Sequence, residues 1–126
     1  MSEVRRTAPA QADVHRARYF CEVRTETEVE ESTPADYEAA GELLRALSAP
    51  LRIAIVMELA PGPKFVHEIV EVLGVTQPLV SQHLRVLRGA GIVRGTRSGR
   101  EISYSLIDDH IAHIVTDAVN HAREER

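Results

Sequence analysis

The stretch Leu73–Val93, LGVTQPLVSQHLRVLRGAGIV, decides the fold. Gly74 suits the left-handed residue that closes a helix, and Thr76, two positions on, has a side chain suited to opening another. Two helices therefore meet across a turn of only a few residues. Pro78 falls in the first turn of the second helix, where a missing backbone donor is tolerated. Val80, Leu84 and Leu87 then recur at helical spacing as a buried stripe, and Gln77, Ser81, Gln82 and Arg85 lie off that stripe. A second helix with polar residues near its start, set after a tight turn, is the form of a helix that enters a DNA major groove. Gln can pair with adenine through two hydrogen bonds, Arg with guanine, and Ser with bases or phosphates.

Upstream, ADYEAAGELLRALS carries Ala39, Leu43, Leu44 and Leu47 at helical spacing. Pro50 opens a second helix, PLRIAIVMELA, which the PGP at 61–63 ends; VHEIVEVLG is a third, running to Gly74. Downstream, GIVRGTR and REISYSL flank a turn at Ser98-Gly99, and Ile102, Tyr104 and Leu106 alternate with Glu101, Ser103 and Ser105 as in a half-buried strand. A last helix follows. The expected fold is mainly α with a small β-hairpin, a winged helix-turn-helix, over residues 34–126. Residues 1–33, with the charged run RTETEVEES, lack sustained periodicity and read as a disordered tail.

The chain has 126 residues and a formal net charge of −4, which argues against nucleic acid until its distribution is considered. From Val72 to Arg100 there is no acidic residue, and the same stretch holds Arg85, Arg88, Arg94, Arg97 and Arg100. Arg97 and Arg100 flank the wing turn, within reach of phosphates or a minor groove. Double-stranded DNA is the partner this implies. Cys21 is the only cysteine, so an intramolecular disulfide and an all-thiolate metal site are both excluded. No apolar run approaches membrane-spanning length, and MSEVRRTAPAQADVHRARYF has no signal-peptide core, so a cytoplasmic protein without a membrane partner is expected. Neither a glycine-rich phosphate loop nor a nucleophile–base arrangement is recognisable, which speaks against an enzyme. His67 and His83 lie outside the DNA-reading set and read as structural.

The C-terminal segment Leu106–Arg126, LIDDHIAHIVTDAVNHAREER, admits three readings: a solvated polar face, a catalytic cluster, or half of a metal site. On a helix, Ile111, Val115, Ala118 and Ala122 share an apolar sector expected to pack on the fold. His110, His113, Asp117, His121 and Glu124 form a row on the other side. His110 and His121 stand roughly 16 Å apart along the axis, too far for one ion. His121 and Glu124, at i and i+3, can share an ion. Asp108 and His110 converge only if Asp108 precedes the helix, near its N-cap. Each end then offers two ligands, and an antiparallel second copy would join the two ends into two sites per homodimer.

Taken together, LLRALSAPLRIAIVMEL, the helix-turn-helix above and the wing RSGREISYSL resemble the ArsR/SmtB family of metal-responsive winged-helix repressors, over about residues 38–124. The resemblance implies a homodimeric repressor released from its operator by metal. Zinc-sensing members carry Asp-x-His from one subunit and His-x-x-Glu or His-x-x-His from the other, a pattern that Asp108, His110, His121 and Glu124 match. Two imidazoles and two carboxylates suit tetrahedral Zn²⁺. With all four positions filled, the metal's role is allosteric. Phe65 stands where other members place a first cysteine, which argues against a thiolate site. His113 is additional to the pattern: a fifth ligand for octahedral Ni²⁺ or Co²⁺, or a residue supporting a ligand from outside. A winged-helix regulator that senses a non-metal signal remains the rival.

Overall fold

The computed structural model describes residues 31–124; the expected disorder of residues 1–33 lies almost wholly outside them, as does Cys21. Residues Ala35–Arg126 form one compact unit. In chain order the elements are α1 (Pro34–Ala46), α2 (Pro50–Leu59), β1 (Lys64–Phe65), α3 (Val66–Leu73), α4 (Gln77–Gly89), β2 (Val93–Ser98), β3 (Glu101–Leu106) and α5 (Asp109–Glu124).

The local signals act where the sequence put them. Pro50 opens α2. Gly74 closes α3 with φ 69° and gives its amide to the Val70 carbonyl, so only two residues separate it from α4. Thr76 has the extended backbone of an N-cap, but its hydroxyl makes no capping bond. Glu68 takes that kind of part at α3, where its carboxylate accepts from the Phe65 amide at 2.7 Å. Gly99 turns the wing with φ 66°.

The sheet is larger than a hairpin. β2 and β3 pair antiparallel, Val93 opposite Leu106 and Ser98 opposite Glu101, and β1 adds to the free edge of β3 with Lys64 opposite Tyr104 and Phe65 opposite Ser103. Two residues between a PGP turn and a helix carry no period for a sequence reading to detect; the pairing partner supplies the strand.

Ile55, Val56, Leu59, Ile69, Val80, Leu84, Leu87, Ile92 and Val93 form the centre of the core, joined by Leu47, Ile111 and Val115. Among the described residues no polar side chain is fully buried. The stripe Val80, Leu84 and Leu87 is buried as its spacing requires, and it fixes which face of α4 points outward. The apolar sector of α5 needs a correction. Ile111 and Val115 are buried and Val119 packs on the core, but Ala118 and Ala122 are exposed. The helix packs on α2 and β3.

Candidate functional site

Two candidate sites are built on different elements of the compact unit. The first is built around α4. Gln77 and Pro78 are exposed in its first turn, Ser81 is half-buried, and Gln82 and Arg85 are exposed. Gln77, Ser81 and Arg100 line one groove, together with His67 and Glu101 and floored by Val66, Ile102 and Tyr104. The fold therefore brings the start of α4 and the wing turn together, although they are more than twenty positions apart in the chain. Arg97 is exposed on β2 opposite Ile102, outside the groove. Glu101 ends the acid-free stretch and sets a carboxylate at the groove's rim.

The two remaining histidines differ. His67 is exposed, stacks on Phe65 with ring centroids 5.7 Å apart, and holds Nδ1 3.8 Å from a Glu101 oxygen. Its place in the groove was not legible in the sequence, because the β1–β3 pairing is what brings the start of α3 beside the wing. His83 is half-buried on α4 and takes a 3.2 Å hydrogen bond from Arg52 of α2.

The second site follows α5. Asp108 precedes the helix and caps it: Oδ1 accepts from the His110 amide at 3.0 Å and from the Ile111 amide at 3.3 Å. Its other oxygen, Oδ2, lies 3.5 Å from His110 Nδ1. Desolvation raises the Asp108 carboxyl, but the Ile111 amide, the His110 side chain and charge, and the His110 amide outweigh it and hold the group below the ordinary carboxylate range. The anionic form is therefore favoured, as a metal ligand must be. The His110 side chain is 87% exposed. His113, Asp117, His121 and Glu124 are exposed further along α5. Among the described residues of one chain no three metal-binding side chains converge on a common point. The donor set, two imidazoles and two carboxylates, is chemically suited to Zn²⁺, and the Asp108–His110 pair is already side by side.

Comparison with known proteins bears on both sites. The model of the family "Bacterial regulatory protein, arsR family" matches residues 49–94, from the approach to α2 to the start of β2. The chain is 62% identical over 88 residues to the HTH-type transcriptional repressor SmtB of Mycobacterium tuberculosis, a match covering 70% of this chain and 65% of SmtB. It thus spans just under two thirds of that relative. It is 43% identical over 94 residues to the HTH-type transcriptional regulator NmtR of the same organism, covering 72% of this chain and 78% of NmtR. Among solved structures, the homodimeric winged helix-turn-helix DNA-binding domain Mb0332 of Mycobacterium bovis superposes with a TM-score of 0.66 at 22% identity, covering 77% of this chain and 93% of that one, a likeness of fold alone. The relatives are regulators of transcription and not enzymes. With α3–turn–α4 and the β2–β3 wing in place, the fold is a winged helix-turn-helix, and the chain belongs to the arsR family of bacterial regulatory proteins.

Proposed function

We propose that this chain is a metal-responsive transcriptional repressor that binds operator DNA as a homodimer and releases it when zinc binds between the C-terminal helices. The observation that carries the reading is the Asp108–His110 pair. One carboxylate oxygen is spent on capping α5, and the other stands 3.5 Å from an exposed imidazole nitrogen. An N-cap needs only one oxygen, so the second is available for a ligand. A second copy running antiparallel would bring its His121 and Glu124 to this pair. Supporting a second copy are apolar side chains left in solvent on the two terminal helices: Tyr37 and Leu44 on α1, 66% and 53% exposed, and Ile107 and Ile114 at and along α5.

Zinc held by Asp108 and His110 of one copy and by His121 and Glu124 of the other would supply a cross-link between the two C-terminal helices, which suits regulation and not catalysis. The protein's own residues do the rest. Asp108 fixes the start of α5 and keeps its carboxylate ionised. His110, His121 and Glu124 stay exposed for binding. On α4 Gln77, Ser81, Gln82 and Arg85 read bases, Pro78 sets the backbone of its first turn, and Arg97 and Arg100 hold phosphates. Support for the repressor reading comes from the 62% identity to a protein named as a repressor.

A second reading keeps the site and changes the ion. His113 is exposed one turn after His110, a place from which it could add a nitrogen for octahedral Ni²⁺ or Co²⁺. Competition among Zn²⁺, Ni²⁺ and Co²⁺ for the full-length protein, with operator affinity measured under each ion, separates the readings. Release by zinc alone supports the first, and release by nickel or cobalt with zinc inert supports the second. Operator affinity indifferent to every ion would refute metal sensing.

A further inference from the structure

A polar link that the DNA-reading set does not include ties α4 to α2 and to the end of α1. Arg52, half-buried in the first turn of α2, sends Nε to the Ala46 carbonyl at 2.6 Å and an Nη to His83 Nδ1 at 3.2 Å. Ala46 is the last residue of α1, so its carbonyl is one of those a helix leaves without an internal partner. A guanidinium also sits favourably at the negative end of that helix. His83 follows Gln82 directly and lies on α4 between the buried Val80–Leu84 stripe and the outward face. A guanidinium cannot accept a hydrogen bond, so His83 Nδ1 is the acceptor and its ring proton is on Nε2. Leu43, Ala46, Arg52, Val86, Gly89 and Ala90 then line one groove, with α1 along one wall and the end of α4 along the other.

The core around this link is aliphatic and largely non-directional. Leu84 and Leu87 can tolerate a small rotation or slide of α4 with modest loss of buried area, but the Arg52 fork cannot, because its two bonds have fixed directions. We propose that Arg52 is a positioning residue: through His83 it locks the azimuth of the recognition helix to the end of α1, so that Gln77, Ser81 and Gln82 meet base edges in register. The inference rests on the DNA-reading role proposed for α4.

The test uses the full-length protein, a duplex selected from a random pool by the wild-type chain, and a scrambled duplex of equal length. Arg52→Met and His83→Leu should each lose affinity for the selected duplex by about tenfold, the size of effect seen between residues in contact, with the scrambled duplex barely affected. The double variant should lose little more than either single one. His83→Asn, whose side-chain oxygen falls near the position of Nδ1, should restore most of the preference; a merely space-filling His83 would gain nothing from that substitution. Equal losses on both duplexes, additive losses in the double variant, or His83→Asn no better than His83→Leu would each overturn the link. Should Arg52→Met fail to fold, the comparison of His83→Asn with His83→Leu decides alone. A wild-type chain that enriches no sequence overturns the DNA-reading role and the positioning role with it; a clear wild-type preference unaffected by these changes overturns only the link.

Discussion

Asp108 has one duty in the structure, the cap, and a second in the proposed function, the metal, and substitution can separate them. As a cap it needs an oxygen facing the amides of His110 and Ile111; as a ligand it needs a negative charge. Asn keeps the first and loses the second, and Ala loses both. Asp108→Asn should therefore melt close to wild type yet bind zinc more weakly by an order of magnitude or so, and Asp108→Ala should lose both properties. Scanning calorimetry and competition with a chelating dye read the two effects. A zinc affinity unchanged in Asp108→Asn would remove Asp108 from the site. The pH dependence has a definite sign. The folded-state carboxyl is held below its unfolded value, so its contribution is present above that value and fades as pH falls through the lower folded value. The gap in melting temperature between wild type and Asp108→Ala should accordingly narrow on acidification by the part that the charge adds to the cap, without closing, because the protonated carboxyl keeps its capping oxygen. Melting curves that stay apart by the same margin at pH 7 and pH 2.5 would show that the cap does not depend on the charge.

The α3–turn–α4 unit and the wing show how far local pattern reaches. Gly74, the short turn, Pro78 and the Val80–Leu84–Leu87 stripe are all local signals, and the elements form where those signals put them. β1 was not legible, because two residues become a strand only through β3. The exposure of Ala118 and Ala122 was not legible either: helical periodicity says which face is apolar, not whether the same chain has enough surface to cover it. For the same reason the groove joining Gln77, Ser81 and Arg100 could not be read from spacing, whereas the Asp108 cap could. Within the unit, the proposed function divides duties between base and phosphate contacts. Gln82→Ala should lose about 1–3 kcal/mol of discrimination between the preferred site and its single-base variants, with little change on random DNA. Arg97→Ala and Arg100→Ala should instead weaken every duplex alike and reduce the slope of log affinity against log salt by about one each. Gel-shift titrations across a salt series distinguish these patterns, and a Gln82→Ala protein that weakens on all sequences equally would place Gln82 on the phosphates. Gly95 is a fourth position to probe. A methyl group there would stand 3.1 Å from Ile102 Cγ2 and from Tyr104 Cε1, so Gly95→Ala should loosen the wing and lower the melting temperature.

In the whole molecule the metal pairs and the reading helices are proposed to communicate through a second copy of the chain, and two measurements examine that. Two recognition helices on a two-fold axis should read an inverted repeat whose half-sites lie about 34 Å apart. The proposed ligand pairs at the two ends of α5 are separated by too great a length for one helix to close a site. Mixing His110→Ala chains with His121→Ala chains tests whether the sites bridge subunits. Neither homodimer should hold zinc at wild-type affinity. In the mixed dimer one site loses both altered ligands and the other keeps all four, so the mixture should regain a native-affinity site in the mixed fraction. If no such site returns, the bridging arrangement of these four ligands is wrong. Coupling then follows from linkage: if zinc weakens operator binding by some factor, the operator weakens zinc binding by the same factor. A coupling of about 1–3 kcal/mol, roughly five- to 150-fold, is the expected range. The mixed dimer makes this quantitative, since it has one intact site against two in the wild type. If each site contributes independently to fixing the two α5 helices, the single site should yield about half the coupling free energy, which is the square root of the wild-type factor. If one cross-link suffices to set the geometry of the pair, the mixed dimer should show nearly the full factor. Operator titrations with and without saturating zinc, on mixed dimers purified by two different affinity tags, give the number, and no zinc response in the wild-type protein itself would end the derepression model.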